Sequence, residues 1–413
     1  MQIAFSEDHK QFAARVESFV CQHWPVGEVH ISPAQRAAWH AAVVAAGWSV
    51  PAWPAAAGGT DWDVMQQFIW QQTCARYQVD QTFADGAGVA VVGPMLIAAG
   101  QTAAVDAFLP DIRHWRSRWC LAVCEPGCDA QIADMSTTVR SGDGCLTLNG
   151  EKSLVLELQE AHWIAVLARY TDQADTYVLV AVPAQHPALS VTRATSLDGV
   201  TEVARLTFNA LQLPLQHLLT QPAPAQQYQH LLFGSAYATL ARSAVAGAVL
   251  ARIDAVLATL AEEADLNAKR NALAVDLAAL QALEMRFVDA LARGLSPPVP
   301  LDLMRLRSRQ ILMQLGALQI DCFGYYALPY PDAASGNPML MHNEGPVGPV
   351  EAAGVMQHAL AGQVAAFFEQ DAGAGLTALK DRAAEHLNIA SVATEEATAE
   401  AGDKHAGKTA DNY

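Results

Sequence analysis

Apolar residues recur every three or four positions through the first hundred residues or so. In FSEDHKQFAARVESFVCQHW, Phe5, Phe12, Val16 and Phe19 fall on one face of a helical repeat. Ser6, followed by Glu7 and Asp8, supplies a cap and acidic residues for the first turn. PAQRAAWHAAVVAAG predicts a second helix, stopped by Gly47. MQQFIWQQTCARYQ, VAVVGPMLIAAG and TAAVDAFLPDIRHW predict further helices, so residues 1–118 form a helical domain. The Gly-, Pro- and Trp-rich stretch GWSVPAWPAAAGGTDW interrupts the repeat and predicts an ordered loop. At Trp119 the period shortens. STTVRS, CLTLNGEKSLVLEL, HWIAVLARY, TYVLVAVP, LSVTRA and VARLTF are short, rich in β-branched residues and partly alternating. Ser141–Gly144 predicts one turn, and Asn149-Gly150 predicts a hairpin. Residues 119–220 therefore predict an antiparallel β domain, sandwich or barrel. After the linker LTQPAPAQQ, long Ala- and Leu-rich segments predict a four-helix-type bundle over 225–375. Residues 376–413 hold one amphipathic piece, LTALKDRAAEHL, and a small, polar tail expected to be mobile. The fold class is α+β, with helices, then strands, then helices.

Composition narrows the partners. The chain has 413 residues, is 52% hydrophobic and 16% charged, and carries a formal net charge of −17. That is a globular composition, and its sign argues against nucleic acid or anionic lipid as the main partner. No apolar run approaches the roughly 20 residues of a membrane span. MQIAFSEDHKQF has no secretory pattern, so a cytoplasmic location with reduced thiols is expected.

Chemistry first catches the eye at CEPGCD, residues 124–129. With Cys120 it makes a C-x3-C-x3-C pattern. No fourth ligand stands at zinc-site spacing, and Pro126-Gly127 would turn the chain away from a shared centre, so the expected metal set is none. Cys120 and Cys128 are better read as small buried apolar residues. The histidines show no H-x-x-x-H pairing. Arg305, Arg307 and Arg309 share one helix and could meet a phosphate or line a solvated face.

Several stretches, taken in order, resemble the acyl-CoA dehydrogenase family. Gly47, Trp48, Trp53, Pro54, Gly58 and Gly59 resemble a signature of its N-terminal domain. EPG (Glu125 to Gly127) resembles its Ser/Thr-Glu-Pro-Gly-x-Gly-Ser-Asp loop, and NGEK (Asn149 to Lys152) its Asn-Gly-x-Lys segment. LDGVTEVARLTFNALQLP resembles the close of its middle domain. FGYYALPYPD and NEGPVGP resemble a branch acting on dicarboxylic or steroid side-chain thioesters, often as heteromers. The resemblance implies FAD, an acyl-CoA thioester substrate and homo- or hetero-oligomers with a second dehydrogenase-like subunit. It also implies α,β-desaturation. A carboxylate takes the α proton, the flavin takes a hydride from Cβ, and donors hold the thioester oxygen as charge develops.

By family position the flavin contacts would be Cys124, Glu125, Gly127, Leu156 and Arg242, and the base would be Glu344. Glu369 is a weaker alternative base. Glu125, Gly127 and Arg242 match the pattern, and other positions depart from it. Cys124 replaces Ser or Thr, and the loop is shortened to Cys128-Asp129. Leu154 and Leu156 stand where the family has a Trp and a flavin-contacting Thr. LARSAVAG puts Ala241 where one branch has its catalytic Glu, although Arg242 is kept. The expectation is a catalytically weakened or silent subunit of a heteromeric dehydrogenase, in which FAD is lost or shared with the partner. The alternatives are an active homomeric dehydrogenase and a non-enzymatic acyl-thioester-binding protein.

Overall fold

The computed structural model describes residues 5–27, 31–81, 83–100, 102–126, 132–142, 144–196, 201–228, 241–259, 264–297 and 301–324. Helix α1 (Glu7–His23) starts where Ser6 accepts from the His9 N–H and buries Phe12, Val16 and Val20. Helices α2 (Pro33–Ala45) and α3 (Val64–Arg76) open with reciprocal capping boxes, Ser32 with Gln35 and Asp63 with Gln66. Gly47 takes the left-handed conformation (φ 74°) that ends α2. The aromatic rings of Trp39, Trp48, Trp62 and Trp70 pack with Phe19 between these helices.

The predicted helix VAVVGPMLIAAG opens as a π-turn, Gly88–Val92, and continues as α4 (Gly93–Ala99). Its two glycines are filled by indoles. A Cβ on Gly93 would lie 1.9 Å from the Trp53 ring, and one on Gly88 would lie 2.9 Å from the Trp119 ring. The Trp53 indole N–H also donates to the Val89 carbonyl at 3.0 Å. The ordered GW…WP…GG loop thus buttresses this turn. Helix α5 (Thr102–Arg113) leads to the strands.

Strands β1 (Trp119–Ala122), β2 (Thr138–Gly142), β3 (Cys145–Leu156), β4 (Trp163–Tyr170), β5 (Tyr177–Pro183), β6 (Leu189–Thr195) and β7 (Glu202–Pro214) form one sheet. Its order is β1-β4-β2-β3-β7-β6, with β5 on β4, so the sheet curls. Most pairings are antiparallel, as the sequence predicts, but β4 runs parallel to β1 and, at one end, to β2. Strands β4 and β5 are buried on both faces. Ala165, Leu167, Leu179 and Ala181 join the core shared with α4 and α5, while Ile164, Val166, Val178 and Val180 point into the curl. That explains their continuous apolar runs.

One sequence expectation fails. Asn149-Gly150 is not a hairpin: β3 runs through it as a single strand. Gly150 (φ 134°) marks a register shift against β7, and a Cβ there would lie 2.6 Å from Thr137. The glycine serves close approach of backbone, and the turn lies at Gly142–Cys145 instead.

Helices α6 (Arg242–Leu257), α7 (Ala264–Ala292) and α8 (Leu301–Phe323) build the described part of the bundle. Leu273, Leu277, Leu280 and Phe287 of α7, spaced by three, four and seven, form its buried stripe. No helix among the described residues is long and apolar enough to cross a membrane.

Candidate active site

The site is built on the junction of β1 and β3. Beyond β1 the chain carries Cys124 and Glu125 inward; both are buried. Lys152, on β3, has no exposed surface. Its ammonium donates to Glu125 Oε1 at 2.8 Å and to the Val123 carbonyl at 3.0 Å. Glu125 also accepts from the Ser136 N–H and hydroxyl, each at 2.6 Å, and from the Thr137 N–H at 2.9 Å. Burial alone would raise this carboxyl. The Lys152 charge and the donors of Lys152, Ser136 and Thr137 outweigh it and bring the pKa down to about 2. The Cys124 carbonyl accepts from the Ser153 N–H at 2.9 Å. Glu125 and Lys152 thus pin the start of the loop to β3 and to residues 135–137.

Past Lys152 the strand changes character. A register shift between Lys152 and Val155 leaves Leu154 bulged out, with φ 55° and 41% exposed. Val155 is buried, and Leu156 pairs with Val203 and is half-buried. Glu157, again with positive φ (59°), turns toward a small cleft. Phe83, Val89, Ser117, Arg118 and Trp119 line that cleft. Arg118 pairs with Glu160 and lies over the Phe83 ring. Burial, with the nearby Glu157 charge, pushes the Cys120 thiol up to about 12, which leaves it inert as a nucleophile at neutral pH.

A second buried carboxylate lies between helices. Ala241, where a base would stand in one family branch, is left-handed (φ 61°), 2% exposed, and packs with Phe287, Val288 and Met304. The next residues open α6 without a side-chain cap of their own. Glu284 of α7 caps them from outside, accepting from the Ser243 N–H at 2.9 Å and from the Ser243 hydroxyl. Burial raises the Glu284 pKa against the opposing pull of Ser243 and Arg242.

The structure therefore brings Cys124, Glu125 and the end of β3 together. Arg242 lies elsewhere, at the start of α6, which packs on α3 and α7. Gly127, Cys128, Asp129, Glu344 and Glu369 lie outside the described residues. The Arg305–Arg309 segment is not one solvated face: Arg309 is 3% exposed, and Arg307 pairs with Asp276. Sequence reasoning missed the partnership of Lys152 with Glu125, because nothing in a 27-residue separation signals it. Glu284 was findable, since it falls on the apolar stripe of α7, where an unpaired carboxylate is costly.

Family models match most of the described helical and β parts of the chain. The N-terminal domain of acyl-CoA dehydrogenases matches residues 6–114, and the middle domain matches residues 120–211. Through these two domains the chain belongs to the acyl-CoA dehydrogenase family. Among curated relatives, it is 26% identical over 186 residues to acyl-CoA dehydrogenase IpdE1 of Mycobacterium tuberculosis, which covers 44% of this chain and 48% of that protein. The chain thus spans about half the length of such relatives. Among solved structures, the Tcur3481-Tcur3483 steroid acyl-CoA dehydrogenase superposes with a TM-score of 0.73 at 15% identity, covering 94% of this chain and 99% of that one. The ChsE4-ChsE5 complex of M. tuberculosis gives 0.72 at 15% identity, covering 94% and 98%. At that identity the structural likeness establishes the fold, including the helices beyond the β domain.

The family's flavin makes a demand that can be set against these residues. An isoalloxazine edge needs polar atoms from the strand that meets it. Here the described residues present Leu154 and Leu156 at that strand end, a buried Cys124, and a Glu125 whose carboxylate is spent on Lys152, Ser136 and Thr137. The Leu154 and Leu156 side chains would offer an isoalloxazine edge no polar atom.

Proposed function

We propose that this chain is a non-desaturating subunit of a heteromeric acyl-CoA dehydrogenase, supplying fold and interface to a partner chain that holds the flavin and the base. One observation carries the reading. The buried Glu125–Lys152 pair that shapes the β1–β3 junction is intact, while the exposed end of the same strand offers hydrocarbon at Leu154 and Leu156. Scaffold and chemistry have parted within a few residues of one strand. Ala241, a methyl group in a packed core, cannot remove a proton, and loss of a positioned base typically removes a factor of roughly 10²–10⁴ in rate.

The names of the relatives agree with this choice of class: one solved neighbour is a two-chain steroid acyl-CoA dehydrogenase and another is a complex of two different chains. The test is co-expression with a second acyl-CoA dehydrogenase chain. A stable mixed oligomer that oxidises acyl-CoA, with this chain alone inactive, is expected. A homogeneous homo-oligomer of this chain that reduces a dye with acyl-CoA would establish the active-homomer alternative instead.

A further inference from the structure

A core shared by α4, α5, β4 and β5 joins the helical domain to the sheet. One histidine lies against it. His217 ends the 3-10 turn Leu215–His217 that follows β7, and it is 7% exposed. Three elements close on its ring. Phe108 of α5 meets it in a T-shaped contact with centroids 5.7 Å apart, and Trp163 of β4 does so at 5.3 Å. From β5, the Ala181 carbonyl lies 2.8 Å from Nδ1. A carbonyl only accepts, so Nδ1 carries the proton of the neutral ring. A second proton would go to Nε2 and place a cation in the seam between helix and sheet.

The surroundings oppose that cation. Burial holds the His217 pKa below the ordinary 6.5, and the charge of His186, between β5 and β6, pushes the same way; the Ala181 carbonyl pulls against them. The other ionisable groups on these elements lie differently. Asp106 and Asp111 of α5 are exposed, and Asp111 pairs with Arg116. His162, just ahead of Trp163, is exposed and accepts from the Arg118 N–H. Arg169 lies near the far end of β4.

We propose that His217 is an acid-sensitive clasp between α5 and the β domain: neutral, it closes the seam, and protonated beside His186 it lets α5 go. Below pH 6.5 the opened state takes up a proton that the closed state refuses, so closure is complete above 6.5 and weakens as pH falls. The loss stays local, because α2 buries Trp39 and Val43 in a separate core. The clasp is independent of the subunit reading.

The experiment is amide hydrogen exchange of the full chain, read by mass spectrometry at pH 7.5 and 5.5 and corrected for intrinsic exchange rates. Protection of α5 is expected to fall several-fold at pH 5.5, with a ceiling of about tenfold one unit below 6.5, while α2 holds. His217→Asn keeps an amide donor near the place of Nδ1 and cannot titrate, so its α5 is expected to stay protected at both pH values. Should His217→Asn not fold, as judged by its melting transition, His186→Gln serves instead. Removing the neighbouring charge lets His217 take its proton more easily, so the α5 loss is expected to shrink. Equal protection of α5 at the two pH values in the natural chain would overturn the proposal. So would an equal fall in α2, or a loss in α5 that His217→Asn, or in its stead His186→Gln, leaves unchanged.

Discussion

Glu125 and Lys152 carry opposite charges to a place where water does not reach, with side chains 4% and 0% exposed. A buried pair of this kind gains little over a well-packed apolar pair, but removing one partner strands the other, at a cost of about 3–5 kcal/mol. Glu125→Gln and Lys152→Met are each expected to cost that much in chemical denaturation, and the double variant less than the sum. The pair also sets an acid limit. The folded chain holds the Glu125 proton off until about pH 2, whereas an ordinary glutamate lets it on near 4.5. Below 4.5 the unfolded chain binds a proton that the folded chain refuses. The pair's contribution is therefore complete above 4.5 and lost as pH falls toward 2. That gap is worth roughly 3 kcal/mol. Melting curves between these pH values are expected to fall more steeply for the natural chain than for Glu125→Gln; equal slopes would mean that the carboxylate is not held as drawn. Glu284 has the opposite sign, since its raised pKa makes its ionised form the less comfortable one in the folded chain.

At the scale of elements, β3 concentrates the contrast between scaffold and site. It pairs with β2 and β7 along most of its length, then bulges at Leu154. A left-handed leucine costs about 1–2 kcal/mol relative to a residue at ease there, and a β-branched residue costs more. Leu154→Val is therefore expected to destabilise by about 1–2 kcal/mol relative to Leu154→Asn, since asparagine tolerates that conformation. Indistinguishable melting of the two variants would show that the bulge is absent in solution. This element also shows what the sequence could and could not disclose. Its period-two alternation and β-branched residues announced a strand. Asn149-Gly150 carried the chemistry of a turn, yet the glycine is needed because Thr137 crowds that backbone. Local pattern reports which conformations a dipeptide tolerates, and tertiary contact decides among them. The parallel pairings of β4 were hidden for a related reason, because alternation specifies faces and not partners. Helix caps, by contrast, were legible at Ser6 and Gly47 because their causes lie within a few residues.

At the scale of the whole molecule, the order of helices, curled sheet and helices was readable from the change of period at Trp119 and its reversal after residue 220. The candidate site was readable only by position in the family. EPG and NGEK stood where the family has its loop and strand, and within them Glu125 and Lys152 pair with each other. The molecule keeps the acyl-CoA dehydrogenase architecture, and on the proposed reading leucine stands at the strand end where polar atoms would meet a flavin. The most direct test is the visible absorption spectrum of the purified chain, alone and then mixed with a second acyl-CoA dehydrogenase chain. A chain colourless alone, with flavin bands appearing only in the complex at fewer than one flavin per chain, is the expected result. Stoichiometric flavin on the isolated chain, bleached by an acyl-CoA, would contradict it.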